Sequence, residues 1–166
     1  MTIATELAAL YKRDLTRVIQ QVEAFSDSPA LWATTPGMTN SPGNLVLHLE
    51  GNLLEYIGRQ LGGVAFERRR PLEFSTKGLE ASELVSRIEQ VRDVVPGVIA
   101  SLDDYALAAE FPERVLGHAM TTGQFVMHLN SHLNYHLGQI DVMRRALTGT
   151  GAIPLTGLAE AGSNSL

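Results

Sequence analysis

The stretch His128-Leu129-Asn130-Ser131-His132-Leu133-Asn134-Tyr135-His136-Leu137-Gly138-Gln139-Ile140-Asp141-Val142-Met143 decides how this chain is read. An inward stripe of Phe125, Leu129, His132, His136, Ile140, Met143 and Leu147 runs through it at the three- and four-residue spacing of one α-helical face. Thr121 or Thr122 can cap such a helix, and Gly149 can stop it. Residues four apart on a helix lie one above the other, roughly 6 Å apart. His132 and His136 form such a pair, and so do His128 and His132. Either pair can grip one metal ion from a single rigid element. His128 and His136 are separated by about 12 Å along the axis and cannot share an ion. A further ligand must come from elsewhere, and His48, flanked by Leu45, Leu47 and Leu49, is the best candidate. His118 falls in the loop before the helix and is expected to be exposed.

Working outward, three more segments read as amphipathic helices. The first spans about Thr2 to Phe25, with Leu7, Leu10, Leu15, Val18, Val22 and Phe25 apolar and Lys12, Arg13, Asp14 and Arg17 between them. Asp27-Ser28-Pro29 should end it. Residues 30–40, with Trp32, Pro36 and Gly37, read as a loop across the domain. Ser41-Pro42 then gives an N-cap and a proline at the first helical position, starting a second helix that runs to about Leu61 and stops at Gly62-Gly63. Residues 64–81 read as a long connection. Its run Arg68-Arg69-Arg70 reads as solvated charge that could also attract an acidic cosubstrate. A third helix from about Ser82 to Leu102 carries Leu84, Ile88, Val91, Val95 and Ile99, with a kink or break expected at Pro96. Residues 103–120 form a second long connection. Long crossovers suit a four-helix bundle that is not a simple up-down array. Residues 1–150 are expected to form this bundle, and 151–166 a small, polar tail or partner-docking arm.

Composition bounds the function. The chain has 166 residues, 45% hydrophobic and 19% charged, which suits one soluble domain with a true core. Its charge is 13 − 18 = −5, against a sequence-independent nucleic-acid binder. No apolar run reaches a membrane-spanning length, and the first residues lack a secretory pattern, so a cytoplasmic setting is the default expectation. Cysteine is absent. That excludes disulfides, thiolate ligands and catalysis by the protein's own thiol.

The segment His132-Leu133-Asn134-Tyr135-His136-Leu137-Gly138-Gln139-Ile140, followed by Met143-Arg144-Arg145, resembles the closing helix of the DinB-like proteins and their His-x-x-x-His-x-Gly-Gln motif. The run from Asn40 to His48 looks like the opening of the helix that carries that family's first ligand. The resemblance covers roughly residues 5–150. It implies an all-α, up-down-down-up four-helix bundle, commonly dimeric. It further implies a divalent metal, often zinc or nickel, on His48, His132 and His136. Some relatives transfer low-molecular-weight thiols such as bacillithiol or mycothiol, or isomerise substrates with a thiol cofactor. The pattern departs at Leu137, where many relatives carry Arg, so this chain lacks that cation beside the metal.

Three neutral imidazoles would leave an ion's charge uncompensated and a position open, the pattern of a reactive site. A bound thiol would be deprotonated there, and a bound water acidified. Gln139 could orient His136, and Asn44 and Asn52, four residues either side of His48, could line the pocket. Glu55 is a candidate general base, although an ordinary surface role suits it better, and Tyr135 faces the site or a dimer seam, with a core role the safer reading. The resulting expectation is a metal-dependent thiol S-transferase acting on a small molecule. The alternatives are a non-catalytic metal-binding or stress-related protein and a metal-hydroxide hydrolase.

Overall fold

A computed structural model describes residues 2–25, 28–115 and 117–154. The expected helix stop at Asp27, and residues 155–166 of the expected tail, lie outside the described residues. The described residues form helices and no strand. These are α1 (Ile3–Glu23), α2 (Ser28–Leu31), α3 (Pro42–Leu53), α4 (Arg70–Ser75), α5 (Ala81–Ala100), α6 (Asp104–Ala108) and α7 (Thr122–Thr148), with a π-helical segment, Leu54–Arg59, prolonging α3. None is long and apolar enough to cross a membrane.

The long helices begin and end where the local chemistry requires. Thr2 caps α1 in a reciprocal box with Thr5, and the Ser41 side chain accepts the Asn44 N–H at the start of α3. Of the two threonines that could cap α7, Thr121 does so, accepting from the Gln124 N–H. Gly149 ends α7 at φ 70°, a left-handed conformation that glycine adopts without Cβ strain. α5 continues through Pro96 without a break, and Pro96 is buried.

α1 packs against α5 and α7, and α3 packs against the same two helices. The core between them draws on Leu7, Leu15, Val18 and Val22 of α1, Leu45, Val46, Leu49 and Leu53 of α3, Leu84, Ile88, Val91, Val95 and Ile99 of α5, and Phe125, Leu129, Leu133, Leu137, Ile140 and Met143 of α7. Tyr11, rather than Leu10, completes the inner face of α1. Its hydroxyl donates to the Val126 carbonyl at 2.6 Å, and burial pushes the phenol pKa up.

Further features depart from the sequence reading. Asp14 is not on the solvated side of α1 but fully buried, where it accepts from Arg13, Arg17 and, across to α7, from Asn134 Nδ2 at 2.9 Å. The connection 64–81 is not all loop, because α4 folds within it and packs on α3. On α7, Leu133 and Leu137 occupy the buried stripe, while His132 and His136 sit half-buried at its edge. At the end of α7, Arg144 is 1% exposed; it reaches Gln21 Oε1, the Thr150 hydroxyl and the Gly151 carbonyl, fastening residues 150–151 to the bundle.

Candidate metal centre

Three helical turns bring the site together. His48 lies on the second turn of α3, inside the bundle and 8% exposed. His132 and His136 are successive-turn residues of α7 on the side facing α3. Between them Asn134 bonds to buried Asp14, which fixes this part of α7 against α1. The ring of His48 stands 5.1 Å from that of His132 and 5.2 Å from that of His136, centroid to centroid. His132 Nε2 is 3.3 Å from His48 Nε2 and 3.0 Å from His136 Nε2. One ligand atom from each residue can be chosen so that all three lie within 4.8 Å of one another. Tetrahedral zinc, with bonds to nitrogen near 2.0–2.1 Å, would hold its donors about 3.3 Å apart.

The proton inventory also favours a cation. Glu73 Oε2 lies 2.8 Å from His48 Nδ1, and an ionised carboxylate can only accept. The His48 proton therefore sits on Nδ1, and its Nε2 carries a lone pair. Gln139 Oε1 lies 2.7 Å from His136 Nδ1, while Gln139 Nε2 donates to the Tyr135 hydroxyl, so the same logic gives His136 a free Nε2 lone pair. His132 Nε2 stands between these two acceptors, and its own buried Nδ1 has no hydrogen-bond partner among the described residues. A single proton on His132 can answer only one of those lone pairs. A positive ion answers all three, so the donor set fits a divalent metal.

The electrostatics keep the imidazoles in the ligating form. Burial, reinforced by neighbouring His136, His48, His128 and Arg68, pushes the His132 pKa down to about 4. Burial also lowers His136, against the opposing hydrogen bond from Gln139. Glu73, 6% exposed, would be raised by burial, but the hydrogen bonds of His48 and Arg68 prevail and hold it below the usual carboxylate range. Arg68 donates to it from Nε at 2.6 Å and from Nη2 at 3.0 Å.

The other candidates separate cleanly. Gln139 lies one turn from His136 on α7, with its Oε1 2.7 Å from His136 Nδ1. His128 is exposed, stacks on Phe125 at 6.1 Å, and stays outside the three-histidine group. His118 is exposed in the turn before α7, beside the isolated bridges Val115–His118 and Glu110–Thr121. Asn52 is buried one turn beyond His48, with its Oδ1 unpartnered among the described residues. Asn44 holds α4: its Nδ2 donates to the carbonyls of Glu73 and Thr76 at 3.0 and 2.9 Å. Glu55 is paired with Arg59 one turn on, with Gln60 close by. Tyr135 is 64% exposed rather than in the core, with its ring 5.2 Å from that of His136. Arg68 is no part of a solvated run: its side chain is 13% exposed, against 66% for Arg69.

Sequence reading missed Glu73. The one local signal was Pro71, which marks a helical first turn and so places Glu73 on a helix rather than in a loop. Nothing local says that this turn faces His48.

Fold and site together define the class: an all-α bundle carrying a three-histidine group, drawn from two helices, that could hold a metal ion. The sequence matches the family model of the DinB superfamily over residues 10–140. The chain belongs to the DinB superfamily. The crystal structure of a DinB-like protein from Bacillus cereus ATCC 10987 is similar, with a TM-score of 0.64 and 16% identity, over 85% of this chain and 89% of that one. That likeness shows the fold. No curated protein matches the chain.

Proposed function

We propose that this protein holds a divalent metal, zinc or nickel, on His48, His132 and His136 and uses it to activate a low-molecular-weight thiol for transfer to a small electrophile. The observation that carries this reading is the convergence of three imidazole Nε2 atoms, two of them fixed as lone-pair donors by Glu73 and Gln139. When bound, the ion supplies a Lewis acid that lowers the pKa of a coordinated thiol or water. The protein's residues supply the rest. All three ligands are neutral, so none cancels the ion's charge, and three ligands leave room for a visitor. Glu73 and Gln139 keep the protons on Nδ1 and so preserve the donor atoms. His132 and His136 are half-buried, so the centre is reachable from outside. The rings of Phe74 and Tyr135, 5.2 Å from those of His48 and His136, flank it with aromatic surface. The chain has no cysteine, which suits a reaction whose sulfur arrives on a cosubstrate.

The same reading places the protein in the cytoplasm, as a homodimer, with a small molecule as its partner and no nucleic acid or membrane. The test is to load the protein with zinc or nickel and assay it against a panel of low-molecular-weight thiols and small electrophiles. Metal-dependent consumption of both is expected. Metal-dependent turnover of the electrophile without thiol would redirect the reading to hydrolysis, and no turnover with any pair would leave a binding protein.

A further inference from the structure

We propose that Gly51 and Glu73 form a positioning pair for the metal centre, in which the absent side chain at 51 makes room for the carboxylate that fixes His48 as an Nε2 donor. The inference rests on the metal-binding reading above and deepens it.

Gly51 is in the interior of α3, three residues after His48. Alanine would be favoured there by about 1 kcal/mol on helix propensity. Its backbone is not left-handed either, since Gly51 is not among the positive-φ glycines. Neither helix formation nor backbone conformation explains a glycine here. Space does. A Cβ at position 51 would overlap Glu73 Oε1 and approach its Cδ to 2.9 Å. Glu73 cannot swing aside without loss, because its two oxygens are committed to Arg68 and to His48.

The same face of α3 holds the rest of the carboxylate's setting. Asn44, His48 and Gly51 are spaced i, i+4, i+7 and line one side of the helix. Asn44 clamps the backbone of α4 through the Glu73 and Thr76 carbonyls, and is itself held by Ser41 and Lys77. His48 receives the carboxylate, and Gly51 makes space for it. α4 has only six residues, too few to be stable alone, so this cradle is what places Glu73. A neutral imidazole has one proton for two nitrogens. With the carboxylate on Nδ1, the Nε2 lone pair faces His132. With the carboxylate displaced, that constraint is gone, and every molecule protonated on Nε2 is closed to metal.

The test compares the full-length wild type with Gly51→Ala, Glu73→Ala and the double variant. Zinc affinity is measured by competition with a chelator, and the His48 tautomer of the metal-free proteins by nitrogen NMR of the imidazole. Each single substitution should lower zinc affinity by about 10–100-fold, the usual effect of losing a ligand's hydrogen-bond partner. The double variant should be no worse than the weaker single, because both act through one carboxylate. In wild type the His48 proton should sit on Nδ1, and in both single variants it should redistribute toward Nε2. Additive losses, or a Gly51→Ala protein with wild-type affinity and tautomer, would overturn the proposal. Should Gly51→Ala not fold, the double variant, in which the overlap with Glu73 is relieved, decides: restored folding is expected, and a double variant that also fails to fold would overturn the pairing. Should wild type take up no zinc, the metal reading fails, and the tautomer comparison still decides whether the pair acts on His48.

Discussion

His48 and His136 aim at the same point but are held by opposite means. Behind His48 stands a buried, charged assembly, Glu73 with Arg68, brought in by a six-residue helix from 25 residues away. Behind His136 stands Gln139, a neutral amide one turn along the same helix, with exposed Tyr135 on its far side. The first partner depends on tertiary structure and is shielded from solvent. The second is built into the secondary structure, so it survives as long as α7 does, yet its single uncharged bond contributes less than a charge-assisted one. His132, between them, has no partner on Nδ1 among the described residues. The centre therefore has a rigid charged side, a local neutral side and a middle ligand set by helix geometry alone.

That asymmetry can be broken in order of expected effect. His132→Ala removes the shared middle ligand and should abolish stoichiometric metal binding; elemental analysis finding undiminished metal would count decisively against the site. Acid should act next. The folded-state pKa of His132 near 4 lies below its ordinary 6.5, so the stability tied to keeping it neutral is present above about pH 6.5 and is lost as pH falls toward 4. With metal stripped by chelator, urea midpoints of wild type should fall over this window more steeply than those of His132→Asn. Equal slopes would mean that the imidazole is not buried neutral. Gln139→Ala should weaken zinc by less than about 10-fold, the low end for loss of a ligand's partner. A loss matching that of Glu73→Ala would erase that contrast. His128→Ala should leave zinc affinity unchanged, and a loss equal to that of His132→Ala would move the centre one turn up α7.

What the sequence made legible follows the same division. The four long helices, the Ser41 cap and a threonine cap before α7 are written at short range, in spacings of three and four; the same spacing left His128–His132 and His132–His136 both open, and His48 stood out as an imidazole on an apolar face. Glu73 did not stand out. It is one carboxylate among 18 acidic residues, and only the docking of α4 on α3 selects it. Arg68 looked like its neighbours Arg69 and Arg70 because charge runs carry no mark of which member turns inward. Asp14 misled for the converse reason: an aspartate between two arginines reads as surface, and its burial depends on Asn134, 120 residues away. Periodicity also placed His132 and His136 within the buried stripe, since it cannot tell the centre of a helix face from its margin.

Arg144 carries a practical consequence for anyone shortening this chain. Its guanidinium is sealed inside the bundle, and two of its acceptors, Thr150 and Gly151, follow the last turn of α7. A stop codon after residue 151 spares those acceptors, whereas one after Gly149 removes two of the partners of that guanidinium, leaving Gln21 and Asp141, at a cost of about 1.5–3 kcal/mol. Thermal melts of the two truncations should differ accordingly, which makes Gly151 the natural limit for trimming.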